Sequence, residues 1–158
     1  GAHVSDCPNH VLGRTTPFET RGYVALAGTF GYELDVTRIP KEDRELIPGQ
    51  IKMYHRYNDL IREGDYYRIA DYGENRLYDA WMVVSKDKRE ALVTYIQVMQ
   101  RPNYKSRRIR LKGLDENAVY RDEQTGELYS GSALMYAGIN MTGLHGDFKG
   151  KLIHLTAV

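Results

Sequence analysis

The feature that most constrains this chain is a change in the spacing of its apolar residues close to Gly64. Before Gly64 the spacing is three and four residues, which is typical of one face of an amphipathic helix. After Gly64 the apolar residues alternate with polar ones, which is typical of half-buried strands. We therefore predict two parts that meet near Gly64–Asp65, residues 1–64 and residues 65–158. The helical stripe is formed by Ile47, Ile51, Tyr54, Asn58 and Ile61.

In the first part, predicted strands and helices alternate, as they do in β/α units. Two short runs, at 2–4 and 30–34, have strand character, and a helical or irregular buried segment over 21–27 separates them. A long helix is predicted over 40–63, since Pro40 suits the first position of a helix and acidic residues follow in the first turn. Pro48 predicts a break or kink in this helix near Ile47. Together these elements predict that residues 1–64 consist of β/α units.

The second part is predicted to be an antiparallel β-sandwich. Its strands recur every 8–15 residues and are separated by hairpin signals, among them the charged loop 86–90. Gly126 follows Gln124 and Thr125 at a turn position that requires a positive φ. Closely spaced short strands of this kind indicate a sandwich. The predicted strands are 66–69, 80–85, 91–99, 107–111, 119–122, 127–129 and 151–156.

Charge and cysteine content exclude several classes of protein. The 22 basic and 21 acidic residues leave a net charge of +1, so general phosphate binding is not expected and we predict no nucleic-acid partner. In the densest basic run, 105–112, alternation places Arg108, Arg110 and Lys112 on one face, which we interpret as a solvated strand face. No apolar run is long enough for a membrane span, and no membrane partner is expected. Cys7 is the only cysteine in these residues, which permits a reducing compartment, and we expect a cytoplasmic protein.

The chain begins in strand-like sequence without an initiator Met and without a secretory signal. We therefore expect it to be a piece of a longer protein.

The polar loop after the first strand carries the candidate site. If that strand belongs to a β/α barrel, its carboxyl end faces the active site. We therefore predict that Ser5, Asp6, Asn9 and His10 line the rim of a substrate pocket, where they can hydrogen-bond sugar hydroxyls. The alternative is that Asp6 and Asn9 only cap and brace the turn.

Two other chemical interpretations of this loop are weaker. His3, Asp6, Cys7 and His10 are close enough in sequence to form a metal-ligand set, but hydrogen-bonded structural histidines are the commoner outcome, and we predict no metal site. A Cys7–His10 nucleophile pair matches no known spacing of thiol hydrolases. Neither a P-loop nor a dinucleotide-binding motif occurs, and no cofactor is expected.

The 13 tyrosines allow a second function. Tyr and Trp faces can stack on sugar rings, so residues 65–158 could form a carbohydrate-binding or interaction module without catalytic activity. Aromatic residues are also natural strand residues and core fillers, and we favour core and interface packing.

Several blocks of sequence resemble the melibiase-type α-galactosidases of glycoside hydrolase family 36, bacterial members in particular. Two blocks are specific, one over Gly1–His10 with Gly13–Pro17 and the other over Gly28–Asp35. Weaker blocks follow in order at 20–22, 66–68, 80–85, 111–115 and 129–131.

The resemblance implies a long enzyme that hydrolyses terminal α-linked galactose from melibiose- or raffinose-type oligosaccharides by a retaining mechanism. In that family a catalytic (β/α)₈ barrel precedes a C-terminal antiparallel β domain, and no cofactor is required. The resemblance therefore implies that residues 1–64 are the last β/α elements of the barrel and that residues 65–158 are the C-terminal β-sandwich domain. The family's nucleophile lies in a Lys-x-Asp type motif and its acid/base in a Trp-x-Ser-Asp type motif. The second does not occur here, and the one Lys-x-Asp triplet, Lys41-Glu42-Asp43, falls at the start of the predicted helix and not after a predicted strand. Ser5-Asp6 lacks the preceding Trp, so we transfer no catalytic role and expect no catalytic residue in this chain.

The expected role of the chain is therefore to complete and brace the barrel, and we expect it to be inactive alone. We expect α-galactoside oligosaccharides to bind through the parent barrel and the full-length protein to be a homo-oligomer. A related barrel transferase, such as a raffinose synthase relative, is a further alternative.

Overall fold

The computed structural model describes residues 4–5, 18–26, 32–33, 37–99, 107–142, 144 and 149–158. Two short parallel strands, β1 (Val4–Ser5) and β2 (Tyr32–Glu33), are separated along the chain by helix α1 (Phe18–Leu26). The segment predicted over 21–27 is therefore a helix, and it starts earlier, at Phe18. Glu19 in its first turn suits the positive end of the helix dipole.

Helix α2 spans Lys41–Glu63 without interruption, so the break predicted at Pro48 does not occur. Pro48 is exposed, and so is Gly49 beside it. The helix buries Gln50, Tyr57 and Leu60 and ends where the Gly64 N–H donates to the Leu60 carbonyl, 2.8 Å away. Packing of this buried stripe compensates for the missing Pro48 N–H, which is why tertiary structure overrides the local signal.

Eight described strands follow Gly64: β3 (Asp65–Ala70), β4 (Tyr78–Val84), β5 (Glu90–Gln97), β6 (Arg107–Ile109), β7 (Val119–Asp122), β8 (Leu128–Ser130), β9 (Ile139–Met141) and β10 (Lys149–Ala157). Six of them form one antiparallel sheet in the order β3-β4-β5-β10-β7-β8, and β6 pairs with β9 in a separate two-stranded sheet. This part also contains the short helix α3 (Tyr72–Asn75) and a π-helical turn (Ala133–Ala137).

The prediction of antiparallel strands is confirmed, but the second layer is smaller than that of an ordinary sandwich. In the described ranges it consists of β6, β9, the π-helical turn and the segment that contains Leu111 and Leu114. The sequence analysis did not predict α3, the π-helical turn or β9. Each is shorter than the window in which hydrophobic periodicity can be detected.

The six-stranded sheet has two covered faces, and alternation along β10 separates them. Ile153 and Leu155 belong to the main core on the side of β6 and β9. Leu152 belongs to a second cluster, on the opposite side, together with Tyr57 and Leu60 of α2. Because both faces of β5 are covered, its six residues 91–96 are all buried, which explains the apolar run in the sequence.

Helix α1 joins α2 and the sheet on the second face. An added Cβ at Gly22 would lie 2.4 Å from Gln50 Nε2, so α1 and α2 approach closely at this glycine. A Cβ at Gly150 of β10 would lie 2.8 Å from Tyr23 Cδ2. Both helices of the first part therefore rest against the part that follows. No helix in the described ranges is long and apolar enough to cross a membrane.

Candidate functional site

The predicted rim begins at Ser5, at the carboxyl end of β1, and β1 pairs with a parallel strand, β2. Val4 pairs with Tyr32 and Ser5 with Glu33. Because β1 and β2 run in the same direction, their carboxyl ends lie at one edge. In the sequence, Asp6 follows β1 directly and Asp35 follows β2 by two residues.

Only the backbone of one predicted rim residue lies among the described residues. Ser5 is the last residue of β1, and Asp6, Asn9 and His10 lie outside the described ranges. The alternative metal set and the Cys7–His10 pair also lie outside them. The rim therefore stays a prediction. Within the described ranges, no three His, Cys, Asp or Glu side chains come together in a way that could hold a metal ion.

A charged cleft of about 500 Å³ lies between the end of α2 and the β4–β5 hairpin. Asp87 has its pKa lowered, chiefly by the hydrogen bond that Ser85 Oγ donates to it at 2.7 Å. A general acid in glycoside hydrolysis requires the opposite shift. Lys86 contacts Asp65, and Glu90 contacts His154 Nε2 at 2.9 Å, so these charged groups hold the hairpin and the sheet together.

A second cleft, of about 320 Å³, opens on the face of the sheet opposite to α1 and α2. One wall comes from the β7–β8 turn and β8, the other from β6 and β9, and Ile153 of β10 lies at its floor. We call it the β8–β9 cleft. Its lining residues are Arg108, Asp122, Thr125, Glu127, Tyr129, Gly138, Ile139, Asn140, Thr142, Lys151 and Ile153.

Of the polar residues of this cleft, only Arg108 stands out in the sequence, and it does so as part of the basic run and not as a site residue. Its second wall depends on β9 and on Gly138, which precedes β9 with a φ of 92°. A three-residue strand after a glycine gives no periodic signal, so the sequence did not predict that Asn140 and Tyr129 lie across from each other.

Most described tyrosines of the second part pack against other residues, as predicted. Tyr95 and Tyr120 are buried, and Tyr78 stacks on Tyr95 with the ring centroids 5.3 Å apart. The guanidinium of Arg107 lies 4.1 Å above the Tyr78 ring. Tyr66 and Tyr136 are the exceptions and are 56% and 65% exposed.

The predicted alternation of the basic run is confirmed where it is described. Arg108, Arg110 and Lys112 are exposed, whereas Ile109 and Leu111 are buried in the main core. The basic residues therefore lie on the solvated face of this segment.

Two family models match the chain on either side of the change in periodicity. Residues 1–64 match the model described as melibiase, and residues 78–155 match the glycosyl hydrolase family 36 C-terminal domain. Together they account for most of the sequence.

Curated relatives give the same result. The chain is 48% identical, over 88% of its length, to the bifunctional alpha-galactosidase/sucrose kinase AgaSK of Mediterraneibacter gnavus. It is 41% identical, over its whole length, to the alpha-galactosidase AgaA of Geobacillus stearothermophilus. The chain spans only 15% of the first relative and 21% of the second.

Solved structures share the fold of the whole chain. The galactosidase domain of AgaSK superimposes with a TM-score of 0.97 at 43% identity, and the chain covers 22% of it. AgaA of G. stearothermophilus, in a complex with raffinose, superimposes with a TM-score of 0.94 at 40% identity, and the chain again covers 22% of it. The order and spacing of the resemblance noted in the sequence, the two family models and these superpositions agree: the chain belongs to glycosyl hydrolase family 36.

Proposed function

We propose that this chain is part of an α-galactosidase that hydrolyses terminal α-linked galactose from melibiose- or raffinose-type oligosaccharides by a retaining mechanism. The support comes from relatives that carry this name along the full length of the chain. AgaA of G. stearothermophilus has been solved with raffinose and with stachyose. These sugars are therefore the class of substrate to test.

The observation that carries the proposal is the order β1–α1–β2–α2 with β1 parallel to β2. A strand, a helix and a parallel strand form the repeating unit of a (β/α)₈ barrel. We assign residues 1–64 to the end of the catalytic barrel and residues 65–158 to a C-terminal β domain. The boundaries of the two family models, at 64 and at 78, support this division.

Within this enzyme the chain completes and braces the barrel. Helices α1 and α2 contact the β domain through Tyr23 against Gly150 and through Tyr57 against His154, whose ring centroids are 4.9 Å apart. The Trp-x-Ser-Asp motif does not occur in the 158 residues, and their one Lys-x-Asp triplet, Lys41-Glu42-Asp43, begins α2 instead of following a strand, so both catalytic carboxylates would be supplied by sequence upstream of Gly1.

Hydrolysis of a chromogenic α-galactoside tests whether the catalytic residues lie outside the 158 residues. We expect turnover by the parent enzyme and none by the purified 158-residue chain. Turnover by the chain alone would show that it contains a catalytic pair. No turnover by the parent enzyme with any α-galactoside would overturn the proposed activity itself.

The rim residues Ser5, Asp6, Asn9 and His10 are proposed to contact the bound sugar from the carboxyl end of β1. In the parent enzyme we expect Asn9→Ala to raise KM for raffinose about tenfold, the effect of losing about one hydrogen bond to a ligand. Asn117→Ala is the matched control, because Asn117 is exposed in a turn of the β domain and donates only its backbone N–H to the Asp115 carboxylate. An unchanged KM for Asn9→Ala would favour the capping role.

The same proposal includes a homo-oligomeric, cytoplasmic parent enzyme. Light scattering coupled to size-exclusion chromatography measures the first property directly, and a mass equal to one subunit would contradict it. The single cysteine of these residues agrees with a reducing compartment, because no disulfide can form within them.

A further inference from the structure

The β8–β9 cleft combines an aromatic wall with an apolar floor. Tyr129 is half-buried, and its hydroxyl donates a hydrogen bond to the Glu127 carboxylate, which fixes the ring in the wall. Ile153 at the floor is 3% exposed, and Ile139 in the wall formed by β6 and β9 is 7% exposed, so both add apolar surface to the cleft. Sugar rings present apolar C–H faces as well as hydroxyls, and a fixed aromatic ring is a suitable partner for such a face.

Hydrogen-bond donors in the cleft are held in place by the backbone. Arg108 Nη1 donates to the carbonyl of Gly138 at 3.0 Å and to that of Ala137 at 3.4 Å. These bonds fix one end of a guanidinium that carries five N–H donors. Lys151 Nζ reaches the Thr142 carbonyl at 3.5 Å from the floor strand.

Hydrogen-bond acceptors line both walls of the cleft. The Asp122 carboxylate is part of a buried residue, and its Oδ1 accepts from the backbone N–H groups of Gln124 and Thr125 at 2.9 and 3.3 Å. Asn140, on the opposite wall, carries both an acceptor and two donors. The positions of the acceptors are therefore set before any ligand arrives.

The charges of the cleft balance. Arg108 and Lys151 contribute two positive charges, and Asp122 and Glu127 contribute two negative ones. A phosphate or carboxylate would be attracted by Arg108 and Lys151 but repelled by Asp122 and Glu127. A neutral polyol, with donors and acceptors on the same hydroxyls, can use both. The volume of about 320 Å³ is at the lower end of small-molecule sites and suits one ring rather than a long chain.

We propose that the β8–β9 cleft binds a pyranose unit of a neutral oligosaccharide, with Tyr129 against the ring and Arg108, Asp122 and Asn140 at its hydroxyls. This assigns the β domain a sugar-binding site of its own on the face opposite to α1 and α2. The choice of raffinose as a probe rests on the proposed function, whereas the assignment of the cleft as a sugar-binding site does not.

Saturation-transfer NMR on the parent enzyme tests the site. The enzyme is first saturated with 1-deoxygalactonojirimycin, which AgaA of G. stearothermophilus binds, so that the catalytic pocket is blocked. Raffinose is then titrated. We expect binding to the blocked enzyme and a rise in Kd of about tenfold in Tyr129→Ala, through loss of the aromatic contact.

Two further variants make the test specific. Tyr136→Ala is the matched control, because Tyr136 is also hydrogen-bonded to a glutamate, Glu116, but lies outside the cleft. We expect its Kd to stay within about twofold of the wild type. Asn140→Trp places a large ring in the cleft from an exposed position and should abolish binding. If Tyr129→Ala does not fold, Asn140→Trp decides the result.

Three results would overturn the proposal: no raffinose binding to the blocked enzyme, an unchanged Kd in Asn140→Trp, or binding of inorganic phosphate instead of raffinose. Turnover of a chromogenic α-galactoside is measured on the same variants and should be unchanged. If the parent enzyme has no such activity and does not bind 1-deoxygalactonojirimycin, the titration is run without it. The variants then still locate the site, so the two proposals fail separately.

Discussion

At the scale of single residues, two glycines of the β domain are required for different reasons. An added Cβ at Gly131 would lie 1.9 Å from the Asp115 carbonyl oxygen, which belongs to the backbone and cannot move aside. Gly126 has nothing within 4 Å of its added Cβ, but its φ is 76°. Steric exclusion applies at the first glycine and only backbone strain at the second.

We therefore expect Gly131→Ala to lower the free energy of unfolding by more than about 3 kcal/mol, since the backbone has to shift. For Gly126→Ala we expect about 1 kcal/mol, the cost of a left-handed conformation for a residue with a Cβ. Urea unfolding followed by circular dichroism measures both. Equal losses for the two variants would contradict this ranking.

The hydroxyl of Tyr129 has a testable titration. The hydrogen bond to Glu127 is the main cause that raises the pKa of Tyr129 to about 12, with burial second. Because the folded-state pKa lies above the ordinary value of about 10, the protonated phenol favours the folded state, and this contribution is lost as the pH rises through about 12.

Absorbance at alkaline pH, compared between the wild type and Tyr129→Phe, isolates this phenol. We expect it to titrate near pH 12 and to return towards 10 in Glu127→Gln. Glu116→Gln, which removes the partner of Tyr136, should leave the titration of Tyr129 unchanged. A titration near 10 in the wild type would show that the Glu127 contact is absent in solution.

At the scale of elements, the contact between α2 and the sheet combines an apolar cluster with one aromatic pair. Tyr57 is 7% exposed and meets the His154 ring edge-on, while His154 Nε2 lies 2.9 Å from a Glu90 carboxylate oxygen. Within the described part of the chain, the buried Nδ1 of His154 has no hydrogen-bond partner. The ring is therefore held by Glu90 on one side and by packing on the other.

We expect Tyr57→Ala to cost about 3 to 5 kcal/mol of the free energy of unfolding, as for other buried aromatic residues. A double-mutant cycle with His154→Ala should give a coupling of about 0.5 to 1.5 kcal/mol for the ring pair. Arg62→Ala, which removes the exposed ion pair with Asp59, should cost less than about 0.5 kcal/mol. A coupling near zero would mean that the rings do not stabilise each other.

Helix α2 also contains two residues of low helix propensity. Pro48 and Gly49 are exposed inside a helix that continues to Glu63, and an added Cβ at Gly49 would meet nothing within 4 Å. We expect Gly49→Ala to raise the free energy of unfolding by about 0.5 to 1 kcal/mol and Pro48→Ala to raise it further, because both restore helix propensity. Destabilisation by Pro48→Ala in thermal unfolding would show that the proline has a packing role.

At the scale of the whole molecule, the last strand lies in the middle of the sheet. β10 pairs with β5 over residues 149–156 and with β7 over residues 155–157. Without β10, β5 would have an open edge. Among the described elements, β10 is also the only strand that connects β7 and β8 to the hairpin of β4 and β5. Pairing between segments so distant in sequence also forms slowly, because the loop must close first.

We expect a parent enzyme truncated before Lys149 to lose the cooperative unfolding of its β domain and to aggregate through the open edge of β5. Differential scanning calorimetry and size-exclusion chromatography measure these effects. Removal of Val158 alone breaks one backbone hydrogen bond, from its N–H to the Val119 carbonyl, and serves as the control. A truncated protein with an unchanged transition would contradict the central role of β10.

The sequence by itself determined the elements that carry a repeated local signal. The change of period at Gly64 separates α2 from β3, and the alternation in 107–112 correctly predicted which side chains are exposed. Gly126 was predicted from its turn and has a positive φ. These features depend on neighbouring residues only, which is why they could be read from one chain. The family, too, could be recognised from the ordered blocks.

Only the tertiary structure decided how these elements combine. In the tertiary structure β10 lies between β5 and β7, and α2 continues past Pro48 to Glu63. Tyr129 and Asn140 lie on opposite walls of one cleft. In each case the deciding interactions join residues far apart in sequence, and burial of their apolar surfaces outweighs the local preference. The predicted rim at Ser5, Asp6, Asn9 and His10 follows from the parallel direction of β1 and stays a prediction for the parent enzyme.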